Sequence, residues 1–267
     1  MSDLTIFAVA YKPKKELINL IIERYSKNYP ILIVNNSLEK LNENFYKIKN
    51  LKIFDNNVND GNGAGINVGL KYIKTKYALY LDLDSYINEI NLSKLIKYAN
   101  KIKNFGVLLT NSSNKNTKQK IFKTWNSEGS IMLFNLKHIN NRLLFDETYF
   151  LYFEETDFFY NCLKNNINVF FIPKVISSHA RGTSIVENNK IRDLRIWHYS
   201  WSQFYFYKKN FSYFYALKKC LPFFFKDFSM IIFYFIKMDF KEINIRYTRI
   251  SGLINSLLNF KSWKRNI

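Results

Sequence analysis

The stretch YALYLDLDSY, residues 77–86, runs five largely apolar residues into two carboxylates, Asp82 and Asp84. A β-strand alternates its faces, so an extended reading points both carboxylates the same way, a few ångströms apart, where the sheet gives way to a loop. Like charges that close repel unless something cationic sits between them. Aspartate is also common in turns, and on these residues alone a buried strand meeting a polar turn explains them equally well.

The sequence on either side of this stretch alternates strand and helix patterns. TIFAVAY (5–11) reads as a buried strand, and KKELINLIIERYSKN (14–28) as an amphipathic helix with Leu17, Leu20, Ile21 and Tyr25 facing inward. PILIVNN (30–36) reads as a second strand, NFYKIKNLKIFDN (44–56) contains a third, GAGINVGLKYIKTK (63–76) is a helix, and YALYLDLD is the fourth strand. Strand, helix and strand in succession predict a largely parallel sheet, which places ligands at the carboxyl ends of its strands. Asp82 and Asp84 stand at such an end.

Further along, NLSKLIKYANKI (91–102) reads as a helix, FGVLLTNS (105–112) and SIMLFNL (130–136) as strands, EETDFFYNCLKNN (154–166) as a short helix and NVFFIP (168–173) as a strand. SNKNTKQK (113–120) has the character of a mobile polar loop. From about residue 190 the pattern changes to helices dense in Phe, Tyr and Lys. The expected organisation is therefore an α/β domain over 1–189 and a basic, aromatic helical segment over 190–267, which holds 15 Lys and Arg against four Asp and Glu.

Composition bounds the function classes. The 267 residues carry a net charge of +19 and an aromatic share of 18%, so polyanions, whether nucleic acid, anionic lipid or phosphorylated substrates, are the natural partners. Only Cys162 and Cys220 are present, which excludes a disulfide framework and fits a reducing, cytoplasmic setting. The amino terminus lacks the basic and small-residue pattern of a signal peptide. The most apolar run, FSMIIFYFI (228–236), is about half the length that spans a bilayer.

Two further segments bear on chemistry. NDGNGAGINVGL (59–70) places Gly61, Gly63 and Gly65 ahead of a helix, a pattern that lets backbone approach a phosphate and that a flexible turn with a helix cap explains as well. YFLYFEETDFFY (149–160) gathers Glu154, Glu155 and Asp157 at a helix start, where the dipole stabilises acids; the aromatic residues around them also favour a more basic carboxylate. His179 follows a strand in ISSHARGTS, and a divalent cation between Asp82 and Asp84 needs a third donor of that kind.

Taken in order, VAYKPKKELINLI, ILIVNNS, the N-x-G-x5-N-x-G pattern of Asn59, Gly61, Asn67 and Gly69, LYLDLDS, YFLYFEETDFFY and FFIPKVISSHARG resemble the family 2 glycosyltransferases. The likeness is greatest to the rhamnosyltransferase-like branch of bacterial polysaccharide synthesis and covers roughly residues 4–184. It implies a GT-A fold and a D-x-D pair that holds a nucleotide-sugar with Mg²⁺ or Mn²⁺ on its diphosphate. Asp82 would then lie toward the ribose and sugar, Asp84 and His179 would bind metal, and Ala10, Tyr11, Asn35 and Asn67 would line the donor site. Glu155 would be the catalytic base, with Asp157 the alternative, in an inverting single displacement. The implied donor is a dTDP- or UDP-sugar, and the acceptor a glycan or a lipid-linked molecule.

Two positions depart from the pattern: Asn35 stands where the family has Asp, and the acidic dyad reads Glu-Glu rather than Glu-Asp. Asn35 also gives the sole support to a catalytically inactive scaffold reading. The Lys-aromatic interleaving of FYFYKKNFSYFYALKK (204–219) suggests a nucleic-acid-binding protein instead, a reading that leaves the carboxylate clusters unexplained. With the family reading no nucleic acid is expected, an anionic membrane surface at the inner face of the cell membrane becomes a candidate partner of the helical segment, and a homo-oligomer is possible.

Overall fold

The computed structural model describes residues 3–113, 118–139, 144–180 and 188–264. Residues 114–117 of the expected polar loop, and Arg181 to Ser184 of the ISSHARGTS segment, lie outside the described residues. The chain forms two compact units, residues 1–145 with 158–186 and residues 146–157 with 187–267.

Among the described residues the first unit is built on ten strands, β1 (Leu4–Ala10), β2 (Ile31–Asn35), β3 (Leu51–Asp55), β4 (Tyr77–Leu81), β5 (Ser85–Tyr86), β6 (Val107–Asn111), β7 (Phe122–Lys123), β8 (Ile131–Asn135), β9 (Val169–Ile176) and β10 (Ser178–His179). Eight form one mixed sheet in the order β3-β2-β1-β4-β8-β6-β9-β7. Its β3-β2-β1-β4 half is wholly parallel, and β8 runs antiparallel to both β4 and β6. β2, β4, β6 and β8 are buried along their full length, as central strands covered on both faces must be.

Each face has its own core. One gathers Ile18 and Ile21 of α1 (Lys15–Tyr25) and Leu92 and Leu95 of α3 (Glu89–Lys101) over β1 and β4. The other gathers Ile66 and Leu70 of α2 (Asn62–Tyr72) and Phe158, Phe159 and Cys162 of α4 (Glu154–Lys164) over Phe7, Tyr80 and Phe134. In α1 the buried line is Ile18, Ile21 and Tyr25, while Leu20, expected inward, is 36% exposed. Leu20 sits about 200° round the helix from Ile18, so the two cannot share the narrow stripe that meets the sheet.

The glycine run is explained by packing. Gly61 caps α2 with φ 103°, a conformation open to glycine. A Cβ on Gly65 or Gly69 would strike Val9 or the Phe7 ring at 2.6 and 2.5 Å. These glycines let α2 lie directly on β1 and so fix where the loop before it passes the sheet.

The second unit holds α5 (Asn189–Asn210), α6 (Tyr213–Ile236) and α7 (Phe240–Leu257). Asp227 of α6 is buried and takes Arg246 at 3.3 Å and Arg249 at 3.0 Å from α7, and Gly252 lets α7 touch the Trp197 backbone of α5. The 146–157 segment is tied to α5 by charge. Lys209 Nζ lies 2.7 Å from Asp146 and 2.6 Å from Asp157. Among the described residues no helix is long and apolar enough to cross a membrane.

Candidate active site

The opening stretch departs from the expected strand. β4 ends at Leu81, and Asp82 to Asp84 form a turn closed by Ser85 N–H donating to the Asp82 carbonyl at 2.8 Å. Strand alternation therefore does not bring the two carboxylates together; the turn does. It is held by a two-residue antiparallel ladder in which His179 of β10 pairs with Ser85 of β5, and Ala180 N–H donates to the Asp84 carbonyl at 3.0 Å.

That ladder carries the imidazole to the carboxylates. His179 Nε2 is 3.3 Å from Asp84 Oδ1 and 3.5 Å from Asp82 Oδ2, and one ligand atom from each of the three lies within 4.8 Å of the others. Two carboxylate oxygens and an imidazole nitrogen suit Mg²⁺ or Mn²⁺. Separations of 3.3 and 3.5 Å also approach the roughly 3 Å between neighbouring ligands around such an ion. The donor set fits a divalent cation.

Two partners absent from the sequence reading complete the cluster. Glu128, in the loop between β7 and β8, places Oε1 2.9 Å from His179 Nδ1 and accepts a 2.6 Å hydrogen bond from Ser112 on its other oxygen. A carboxylate on Nδ1 leaves Nε2 facing the aspartates, the arrangement that orients ligating histidines. Tyr80, buried in β4, donates to Asp82 Oδ1 at 2.6 Å. The hydrogen bond with Asp84, opposed by burial and reinforced by Glu128 and the Asp82 charge, pushes the His179 pKa up to about 9.

The implied donor-site residues divide. Ala10 and Asn35 end the adjacent parallel strands β1 and β2, and Tyr11 follows Ala10, so all three stand at the sheet edge where the Asp82 turn also emerges. Asn35 is fully buried: its Nδ2 donates to Asp55 Oδ1 at 2.8 Å and the Glu39 carbonyl at 2.9 Å, while its Oδ1 accepts from Ser37 N–H. An amide can serve both ends of this network, whereas an Asp there would face Asp55 as a like charge. Asn67, in α2, uses its amide to accept from Phe145 N–H and to donate to the Phe145 carbonyl, both at 2.9 Å. It clamps backbone.

In the second unit, the acids of the 149–160 motif open α4. Tyr152 and Phe153, just before them, both adopt left-handed backbone, at φ 64° and 67°. Such conformations are unusual for aromatic residues and persist where surroundings over-determine them; here the Phe153 ring packs on Tyr199 and Phe206 of α5. Asp157 is fully buried and takes Lys209 at 2.6 Å, Asn210 at 2.6 Å and the Tyr149 hydroxyl at 3.3 Å. Glu154 is buried and Glu155 half-buried.

A mixed sheet with a parallel amino-terminal half, an acidic turn at the carboxyl end of its central strand and a carboxy-terminal helical unit define a GT-A glycosyltransferase fold. The model of glycosyl transferase family 2 matches residues 12–163, more than half of the chain, and the chain belongs to that family. Among solved structures it resembles the mannosyltransferase PcManGT from Pyrobaculum calidifontis in complex with GDP-Man and Mn²⁺, at a TM-score of 0.59 and 10% identity over 99% of this chain and 88% of that one. It also resembles residues 1–349 of S. aureus TarS in complex with UDP-GlcNAc, at TM-score 0.50 and 17% identity over 73% and 66%. GalNAc-T7 with UDP, GalNAc and Mn²⁺ aligns at TM-score 0.52 and 13% identity over 76% of this chain and 49% of that one. At these identities the likeness is one of fold. No curated protein matches the chain by sequence.

Proposed function

We propose that the chain transfers a sugar from a nucleotide-sugar to a hydroxyl of a glycan or lipid-linked acceptor, by a single inverting displacement, in bacterial surface polysaccharide synthesis on the cytoplasmic side. The observation that carries this reading is the convergence of Asp82, Asp84 and His179 at the carboxyl end of β4. Asp84 and His179 would hold Mg²⁺ or Mn²⁺, and Asp82 would reach toward the ribose and sugar. When bound, the cation supplies positive charge to the departing diphosphate. Ala10, Tyr11 and Asn35 would bound the nucleotide from the neighbouring strand ends, with UDP- and dTDP-sugars the donors to test first.

Glu155 is the base in this reading, taking the acceptor hydroxyl's proton as its oxygen attacks the anomeric carbon. Supporting it over Asp157 is access: a general base must come within hydrogen-bond reach of its proton, and Asp157 is fully enclosed by Lys209, Asn210 and Tyr149. The experiment is donor hydrolysis over a panel of nucleotide-sugars with Mn²⁺. Asp84→Asn should abolish metal-dependent nucleotide binding with the fold retained. Full activity in excess EDTA would overturn the metal assignment.

A further inference from the structure

Helix α6 has two apolar faces, and its neighbours use one. Ala216, Cys220 and Asp227 form its buried line against α5 and α7. On the opposite side Phe214, Phe225, Phe228, Ile232, Phe235 and Ile236 are between 53 and 82% exposed. From Phe225 to Ile236 their spacing places them on one stripe of a 3.6-residue helix, about 17 Å long at 1.5 Å per residue, with Phe214 in line with it beyond Lys218. A continuous apolar stripe of that extent on a surface marks an interaction site.

Charge names the occupant. From Tyr213 to Lys241, the exposed lysines Lys218, Lys219, Lys226, Lys237 and Lys241 stand against one exposed acid, Asp239. Lys237 folds its ammonium back to 4.4 Å from the Phe233 ring, the posture of a basic side chain that keeps its stem on apolar surface. We infer that this face of α6 lies in the interface of an anionic membrane, its aromatic and aliphatic side chains entering the acyl boundary while the lysines meet lipid phosphates. A second copy of the chain would set the same lysines against themselves. A nucleic acid would satisfy the lysines but leave Ile232 and Ile236 in water. Because α6 cannot span the bilayer, it lies along the surface.

The test uses the full chain with vesicles of phosphatidylcholine alone or of phosphatidylcholine with phosphatidylglycerol. The protein should sediment with the anionic vesicles only and be released by high salt. Phe225→Ser, Phe228→Ser and Ile232→Ser combined should abolish sedimentation while leaving the circular dichroism and donor hydrolysis in solution unchanged, which separates this inference from the catalytic one. Replacing Lys218, Lys226 and Lys237 by Gln should weaken partitioning roughly fivefold per lysine. Phe228→Trp should shift its emission to the blue on anionic vesicles. Equal binding to neutral and anionic vesicles, or vesicle binding retained by the triple serine variant, overturns the inference. So does a wild-type chain that ignores both vesicles, whether it proves to be a dimer that the serine variant splits or a binder of RNA through the same lysines.

Discussion

Glu128 Oε1 and His179 Nδ1 stand 2.9 Å apart, and Ser112 fixes the far oxygen of the same carboxylate at 2.6 Å. Fifty-one residues separate the pair in sequence, yet Glu128 determines which imidazole nitrogen is offered to Asp82 and Asp84. Partners of this kind typically change metal affinity 10- to 100-fold. Glu128→Ala should weaken Mn²⁺ binding, read by electron paramagnetic resonance, by about that factor. Glu128→Gln, which retains an acceptor, should weaken it less. Unchanged Mn²⁺ affinity in Glu128→Ala would remove this role.

Glu155 and Asp157 should respond differently. Glu155→Gln is expected to lower turnover by about 10²–10⁴ with donor binding kept, the usual contribution of a general base. Asp157→Asn should instead lower the melting temperature, because the buried carboxylate that takes Lys209, Asn210 and Tyr149 loses its charge. The reverse pattern in kinetics and thermal unfolding would exchange the two assignments.

Asn35 is expected to be intolerant of the residue its family usually carries. Asn35→Asp places a buried carboxylate 2.8 Å from Asp55 and should destabilise the fold in denaturant unfolding. Adding Asp55→Asn should recover most of the loss, since the pair then again has one carboxylate and one amide. A single variant as stable as wild type would show that the network adapts without them.

Acid should loosen the second unit through Asp146. Burial alone would raise the pKa of this carboxyl, but hydrogen bonds from Lys209 and Thr148 outweigh it and leave it lowered from 3.8. A depressed folded-state pKa contributes stability that is present above the unfolded value and is lost as pH falls through the folded one. The melting temperature should therefore drop below about pH 4, and Asp146→Asn should lower it at neutral pH while flattening that acid slope.

Much of the sheet was legible because its strands are long, apolar and separated by helices of clear period: β1, β2, β4, β6, β8 and β9 fall where alternation and length place them. The ladder of β5 with β10 was not, since two residues carry no periodicity, and it decides where His179 goes. Glu128 lies in a loop with no motif around it; only the position of its partner in space identifies it. Leu20 was misplaced because apolar residues fill more of α1 than its buried stripe admits. The pairing of Asp146 and Asp157 with Lys209 left no trace in composition, as it joins segments more than fifty residues apart.

The β5–β10 ladder also dates the site within the life of the chain. The family match ends at residue 163, but the imidazole that joins Asp82 and Asp84 belongs to His179, so a nascent polypeptide displaying every strand through β8 still cannot close the triad. Closure of the triad thus waits for β10 to dock on β5. Any ion that binds only the closed arrangement then stabilises that late step by mass action, so Mn²⁺ binding would report completed folding.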